Sequence, residues 1–277
     1  PRFSALRGLV AITLSYLIAA CGGGGDGPGR VADNCKKEAT VVRSGSYYGG
    51  AEGSDGGGTG GDSGGAGDGS GGQGQFLDTR VVVRNRLLEP IGEAQTDADN
   101  GMVSIDLKGC KDAIQIDFVG GANAKYYDEV TRRYEPFLEG EVLRARLPQL
   151  KKNFTVSPFT EAAVRMMDAE NGGTTATLKV EQIERINALI GRIVADQVPG
   201  IFRPHNPDGS FRPLDITQLA AVLNPLKAER AGTFTDTPYG QWGAVIAGLA
   251  KAAGAYSSNV DRPAARMTEF FAADLAD

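Results

Sequence analysis

The chain has 277 residues, 41% hydrophobic and 23% charged, enough for one or two ordinary cores once its glycine-rich parts are set aside. Its net charge of −5 supplies no basic field for phosphates, so nucleic acid is excluded as an expected partner. The 39 glycines are concentrated in two blocks, which marks linker rather than unusual packing. The first element, residues 1–20, reads PRFSALRGLVAITLSYLIAA: two arginines, no acid, then an apolar run from Leu9 to Ala20 that is too short to span a bilayer. This pattern predicts an export signal peptide.

The tetrapeptide Ile18-Ala19-Ala20-Cys21 resembles the lipobox of bacterial lipoproteins. The resemblance implies that the Cys21 thiol is acylated and becomes the first mature residue. Gly22 at the next position implies the outer membrane of a Gram-negative bacterium, with the membrane as a partner through the lipid anchor. Removal of the signal leaves 27 Lys and Arg against 34 acids. The chain opens on Pro1 without a Met, which points to a fragment at its start and leaves room for further domains beyond Asp277. With Cys21 taken by lipid, Cys35 and Cys110 are an even pair in an oxidising compartment. The expected disulfide between them closes a loop of roughly 75 residues, a contribution on the order of 4 kcal/mol. Two unpaired thiols are the alternative.

Residues 21–34 predict a flexible tether, GGGGDGPGR following Cys21. A short strand is expected at Glu38–Arg43. From Gly49 to Gly74, fifteen of 26 residues are glycine and none is bulky and apolar, so 49–74 is expected to be a disordered insertion in the β-domain that follows. Within it, GDSGG around Ser63 is the string that frames the catalytic serine of trypsin-like proteases. No histidine precedes Ser63, and the single histidine, His205, lies in the proline-flanked turn FRPHNPDG, so the nucleophile reading fails. Gly57–Asp62 fits the start of a calcium-binding nonapeptide, but Gly64 stands where a large apolar residue is required and the pattern does not recur.

Alternation from Phe76 onward predicts strands at Thr79–Val83, Ile91–Thr96, Met102–Leu107 and Ala113–Val119. Asn100-Gly101 predicts a hairpin within TDADNGMVSIDL, and KGCKD a second one with Cys110 at its tip. Asp97, Asp99 and Asn100 lack the closing glutamate of an EF-hand and read as a plain turn, so no metal or cofactor is expected. The V-x-V strand, the pIgeA-T-D strand and the NGmvsI strand together resemble the carboxypeptidase-regulatory-like, or transthyretin-like, sandwich of exported bacterial proteins. That resemblance implies a small antiparallel β-sandwich used for structure or interaction, not a peptidase. Tyr126, Tyr127 and Tyr134 either pack across the sandwich edge or stack on sugars. Glu141–Leu147 is expected as a strand with Leu143, Ala145 and Leu147 inward and Arg144 and Arg146 on a solvated face.

From Ser157 the period becomes helical. Ser157 caps a helix that begins at Pro158 and stops at Asn171-Gly172. A second helix carries Val180, Ile183, Ile186, Ile190, Ile193 and Val194 on one stripe up to Pro199-Gly200. A shorter helix is expected from Asp215 to Leu223, and further helices from Thr237 to about Tyr256 and from Asp261 onward. The expected fold is α+β: a β-sandwich domain over 35–156 followed by an α-helical bundle over 157–277.

The lipobox, glycine-rich segment, β module and "tVSPfTEAAvR" together resemble a class of exported lipoproteins from Gram-negative, especially betaproteobacterial, genomes. That likeness implies location and domain order only. The functional expectation is a non-catalytic envelope module for binding, adhesion or structure, with an envelope protein or glycan as partner. One alternative is a hydrolase using a carboxylate pair such as Glu161 and Asp168; another is a ligand-binding sensor or accessory subunit with its site between the two domains.

Overall fold

Alternating side chains build a four-stranded antiparallel sheet, which carries most of the expected strands. The computed structural model describes residues 66–71, 76–99, 101, 103–107, 112–128, 131, 133–150, 153–197, 208, 210, 214–217, 247–249 and 251–252, all within one unit, Asp33–Asp277. In chain order the strands are β1 (Ala66–Gly71), β2 (Phe76–Leu77), β3 (Arg80–Arg84), β4 (Pro90–Gln95), β5 (Val103–Asp106), β6 (Ile114–Val119), β7 (Lys125–Asp128), β8 (Arg133–Pro136), β9 (Val142–Leu147) and β10 (Asn153–Val156). Helices α1 (Pro158–Glu170) and α2 (Val180–Gln197) follow. The chain is therefore α+β with mainly antiparallel sheets.

The four-stranded sheet has the order β4-β3-β6-β9. In its register, Val81, Val83, Ile116, Phe118, Leu143 and Ala145 share one face, and all six are buried. A second sheet, β2-β7-β8, adds Phe76 and Tyr126 to the same core, with the Phe76 ring edge-on to Phe118 at 5.5 Å and to Phe137 at 5.1 Å. Tyr126 is thus a core residue. Tyr127 and Tyr134 stand opposite each other on neighbouring strands, their rings edge-on at 5.4 Å, with Tyr134 exposed. Gly120 lets the loop before β9 close in, since a Cβ there would lie 1.9 Å from the Leu138 carbonyl oxygen.

The third sheet, β10-β1-β5, departs from expectation twice. Its middle strand, β1, lies inside the segment 49–74 expected to be disordered. The expectation rested on missing apolar side chains, but a strand needs only its backbone to pair: β1 runs antiparallel to β5 and parallel to β10. The hairpin pairings also differ. Gly101 has φ +65° and donates its N–H to the Asp97 carbonyl, so the turn is there, but β4 pairs with β3 while β5 pairs with β1. β6 in turn pairs with β3 and β9, so β5 and β6 form no hairpin. The turn at 108–111 and the expected strand at Glu38–Arg43 lie outside the described residues.

Both long helices follow their sequence signals. Ser157 Oγ accepts from the Thr160 N–H while Thr160 Oγ1 accepts from the Ser157 N–H, a reciprocal cap. Gly172 and Gly173, at φ +71° and +93°, end α1. The stripe of α2 buries Ile183, Ile186, Ile190 and Val194. Helix α1 packs on β9 and on α2, and the helices share one apolar core with the sheets. Gly191 admits the chain at Leu214–Thr217, because a Cβ would lie 2.1 Å from the Leu214 carbonyl oxygen; the Thr217 carbonyl then accepts the Thr155 N–H at 2.6 Å. Residues 247–249 and 251–252 are helical, within the helix expected from Thr237. Of the helix expected from Asp215 to Leu223, residues 215–217 are described and form a turn, with the Thr217 N–H donating to Asp215 Oδ1 at 3.0 Å; the rest of it and the helix expected from Asp261 lie outside the described residues.

Candidate functional site

Strand pairing fixes where the charges meet. On the face of the four-stranded sheet opposite its apolar side, the register places Arg84 beside Gln115, Gln115 beside Arg146, and Asp117 beside Arg144. The sequence reading left Arg144 and Arg146 on a solvated face. Instead the connection between α1 and α2 and the flank of α1 cover it, so Gln115, Asp117 and Arg146 are buried and Arg144 is half-buried. Alternation shows that a face is polar; it does not show what lies over it.

β9 is an edge strand of its sheet, and its outward backbone groups need partners. The helices supply them. Glu161 Oε2 accepts the Arg144 backbone N–H at 2.8 Å, and Asn187 Nδ2 donates to the Arg146 carbonyl at 3.0 Å. The Glu161 carboxylate also takes Arg144 Nε at 3.0 Å, Arg144 Nη2 at 2.7 Å and Arg165 Nε at 2.9 Å. Arg144 Nη1 reaches Asp168 Oδ2 at 3.1 Å. Glu161 and Asp168, the carboxylates that spacing offered as an acid–base pair, do converge, but on one guanidinium. Burial alone works against the charge of Arg144, yet the hydrogen bonds and charges of Glu161 and Asp168 outweigh it and hold its pKa above the ordinary arginine value. What this arrangement does chemically is clamp α1 to the sheet edge.

Beside the clamp, Asp117 binds Arg84 Nε at 2.6 Å and Gln115 Nε2 at 2.8 Å, and Thr175 Oγ1 donates to Gln115 Oε1. Arg146 is the most deeply placed cation among the described residues. Its Nη atoms donate to the carbonyls of Asn85, Arg86 and Thr175, while its Nε is buried with no hydrogen-bond partner. Burial first, and then the charge of Arg86, push its pKa down to about 10. Sequence reasoning missed Asp117, Gln115, Thr175 and Asn187. The available signal was the i, i+2 spacing of Gln115-x-Asp117 opposite Arg144-x-Arg146, which becomes a set of pairs only once the register is known.

Among the described residues, no group of three or more His, Cys, Asp or Glu is placed to hold a metal ion. Asp97 Oδ1 accepts the Asp99 N–H at 2.8 Å, so that acidic run forms a turn. Cys21, Cys35, Cys110, Ser63, Asn100 and His205 lie outside the described residues, as does the motif Gly57–Asp62. No helix among the described residues is long and apolar enough to cross a membrane. No protein-family model, curated protein or solved structure matches the chain.

Proposed function

We propose that the chain is a lipid-anchored cell-envelope protein, attached through Cys21 to the outer membrane of a Gram-negative bacterium, whose folded unit is a non-catalytic binding, adhesion or structural module. The finer architecture belongs to this proposal: a transthyretin-like β-sandwich over 35–156, followed by a helical bundle that continues α1 and α2 through the segments beyond residue 214. The Cys35–Cys110 disulfide belongs to it too, as does an envelope protein or glycan partner. One observation supports the non-catalytic reading above the rest. Glu161 and Asp168 both bind Arg144, and Glu161 is buried beneath it, so neither carboxylate is presented to a substrate as a general acid or base. For location, the support is the arginine-flanked apolar run ending in Ile18-Ala19-Ala20-Cys21.

The test is metabolic labelling with radioactive palmitate in a Gram-negative host, followed by membrane fractionation. The natural chain, given an initiating Met, is expected to take label and sediment with outer membranes, and Cys21→Ala to do neither. Equal labelling of the two, or release of the natural chain as an unlabelled periplasmic protein, contradicts the anchor.

A further inference from the structure

β1 holds its place in a different way from every other strand described. Its register sets Gly67 opposite Ile105, Gly69 opposite Val103 and Phe154, and Gly71 opposite Val156. All four of those partners are buried, so glycine stands at each β1 position whose neighbours are apolar core residues. The strand therefore contributes main-chain hydrogen bonds there and no apolar side chain. The slot itself cannot stand empty. β5 and β10 have β1 as their sheet partner, and Val103, Ile105, Phe154 and Val156 are buried around it, so losing β1 leaves buried N–H and C=O groups unpaired. The fold thus requires a strand between β5 and β10, while at the three core-row positions this one brings no side chain.

We propose that β1 is a displaceable strand. An extended polypeptide carrying apolar residues at alternate positions, running in the direction of residues 66–71, takes its slot between β5 and β10. Such a segment makes the same backbone bonds and adds side chains to the row beside Val103, Ile105, Phe154 and Val156. On both sides β1 is bounded by glycine-rich sequence, and residues 49–65 and 72–75 contain no bulky apolar residue. The proposal deepens the binding-module reading and rests on it in naming a polypeptide partner.

The probe is the labelled hexapeptide Ala-Val-Asp-Val-Ser-Val, which keeps residues 66, 68 and 70 and puts valine at the three glycine positions. It is added to the full chain, and binding is followed by fluorescence anisotropy together with amide hydrogen exchange. The expected result is saturable binding in which residues 66–71 lose protection while 103–106 and 153–156 keep theirs. The peptide Ala-Gly-Asp-Gly-Ser-Gly, which is the sequence of residues 66–71 itself and carries no apolar row, is expected to bind at least about tenfold more weakly. A chain carrying Gly67→Val, Gly69→Val and Gly71→Val is expected to reject the first peptide by a similar factor. If that variant does not fold, the two peptides on the natural chain still decide. No binding, equal binding of the two peptides, or binding with residues 66–71 still protected overturns the proposal. Palmitate labelling of Cys21 reads the anchor alone, so failure of one reading is distinguishable from failure of the other.

Discussion

β1 and β6 are both paired on two sides, yet they are made of opposite materials. β6, IQIDFV, sends Ile114, Ile116 and Phe118 into the core and uses Gln115 and Asp117 to organise the charged layer behind it. β1, AGDGSG, offers glycine at the equivalent core-facing positions. Backbone pairing is common to both, so the difference isolates what side chains add. In β6 they fix register, because a slip of one residue would exchange Phe118 for Asp117 on the apolar face. β1 has no bulky apolar side chain to fix its register in this way.

The largest expected effect lies in β6. Phe118→Ala removes a ring packed edge-on against Phe76 and leaves a cavity between two sheets, so unfolding free energy is expected to fall by about 3–5 kcal/mol in guanidinium titrations. Next is the clamp on the sheet edge: Glu161→Ala orphans the Arg144 backbone N–H and leaves the guanidinium with Asp168 alone, and is expected to cost about 2–4 kcal/mol. Asp168→Asn, which touches only the half-exposed end of that guanidinium, should cost clearly less in the same assay.

In β1 the scale drops. Gly69→Ala is expected to change stability by less than about 1 kcal/mol, because alanine suits a strand better than glycine and no side chain is removed. A loss as large as that of Phe118→Ala would erase the contrast between the strands. The smallest effect belongs to the exposed pair Arg80–Glu93, worth at most about 1 kcal/mol. Its pH dependence has a defined sign. The hydrogen bond from Arg80 holds Glu93 below its usual 4.5, so its contribution is complete above that value and is lost as pH falls through the lowered one. Glu93→Gln should therefore differ from the natural chain at neutral pH and converge with it in acid, as read by urea midpoints.

How much of this was legible in the sequence follows the same division. β3, β4, β6 and β9 lie within a residue or so of their expected bounds, because period-2 alternation reports a half-buried strand directly. α1 and α2 were equally plain, through Ser157-Pro158 at one end and Asn171-Gly172 between them. β1 was not, since glycine carries no pattern and pairing is a property of its neighbours. Asn100-Gly101 located a turn but not the partners of the flanking strands; a turn is local and a ladder is not. The charged layer was half legible: the polarity of Arg144 and Arg146 was visible, while their burial depends on the connection from 171 to 179, far along the chain.

The most direct test of the central claim is amide hydrogen exchange on the intact chain under native conditions. Residues 66–71, 103–106 and 153–156 are expected to exchange together through a local opening, well before 80–84, 114–119 and 142–147, whose exchange should require global unfolding. A single common rate for the two sets, or slower exchange in β1 than in β6, would contradict the account.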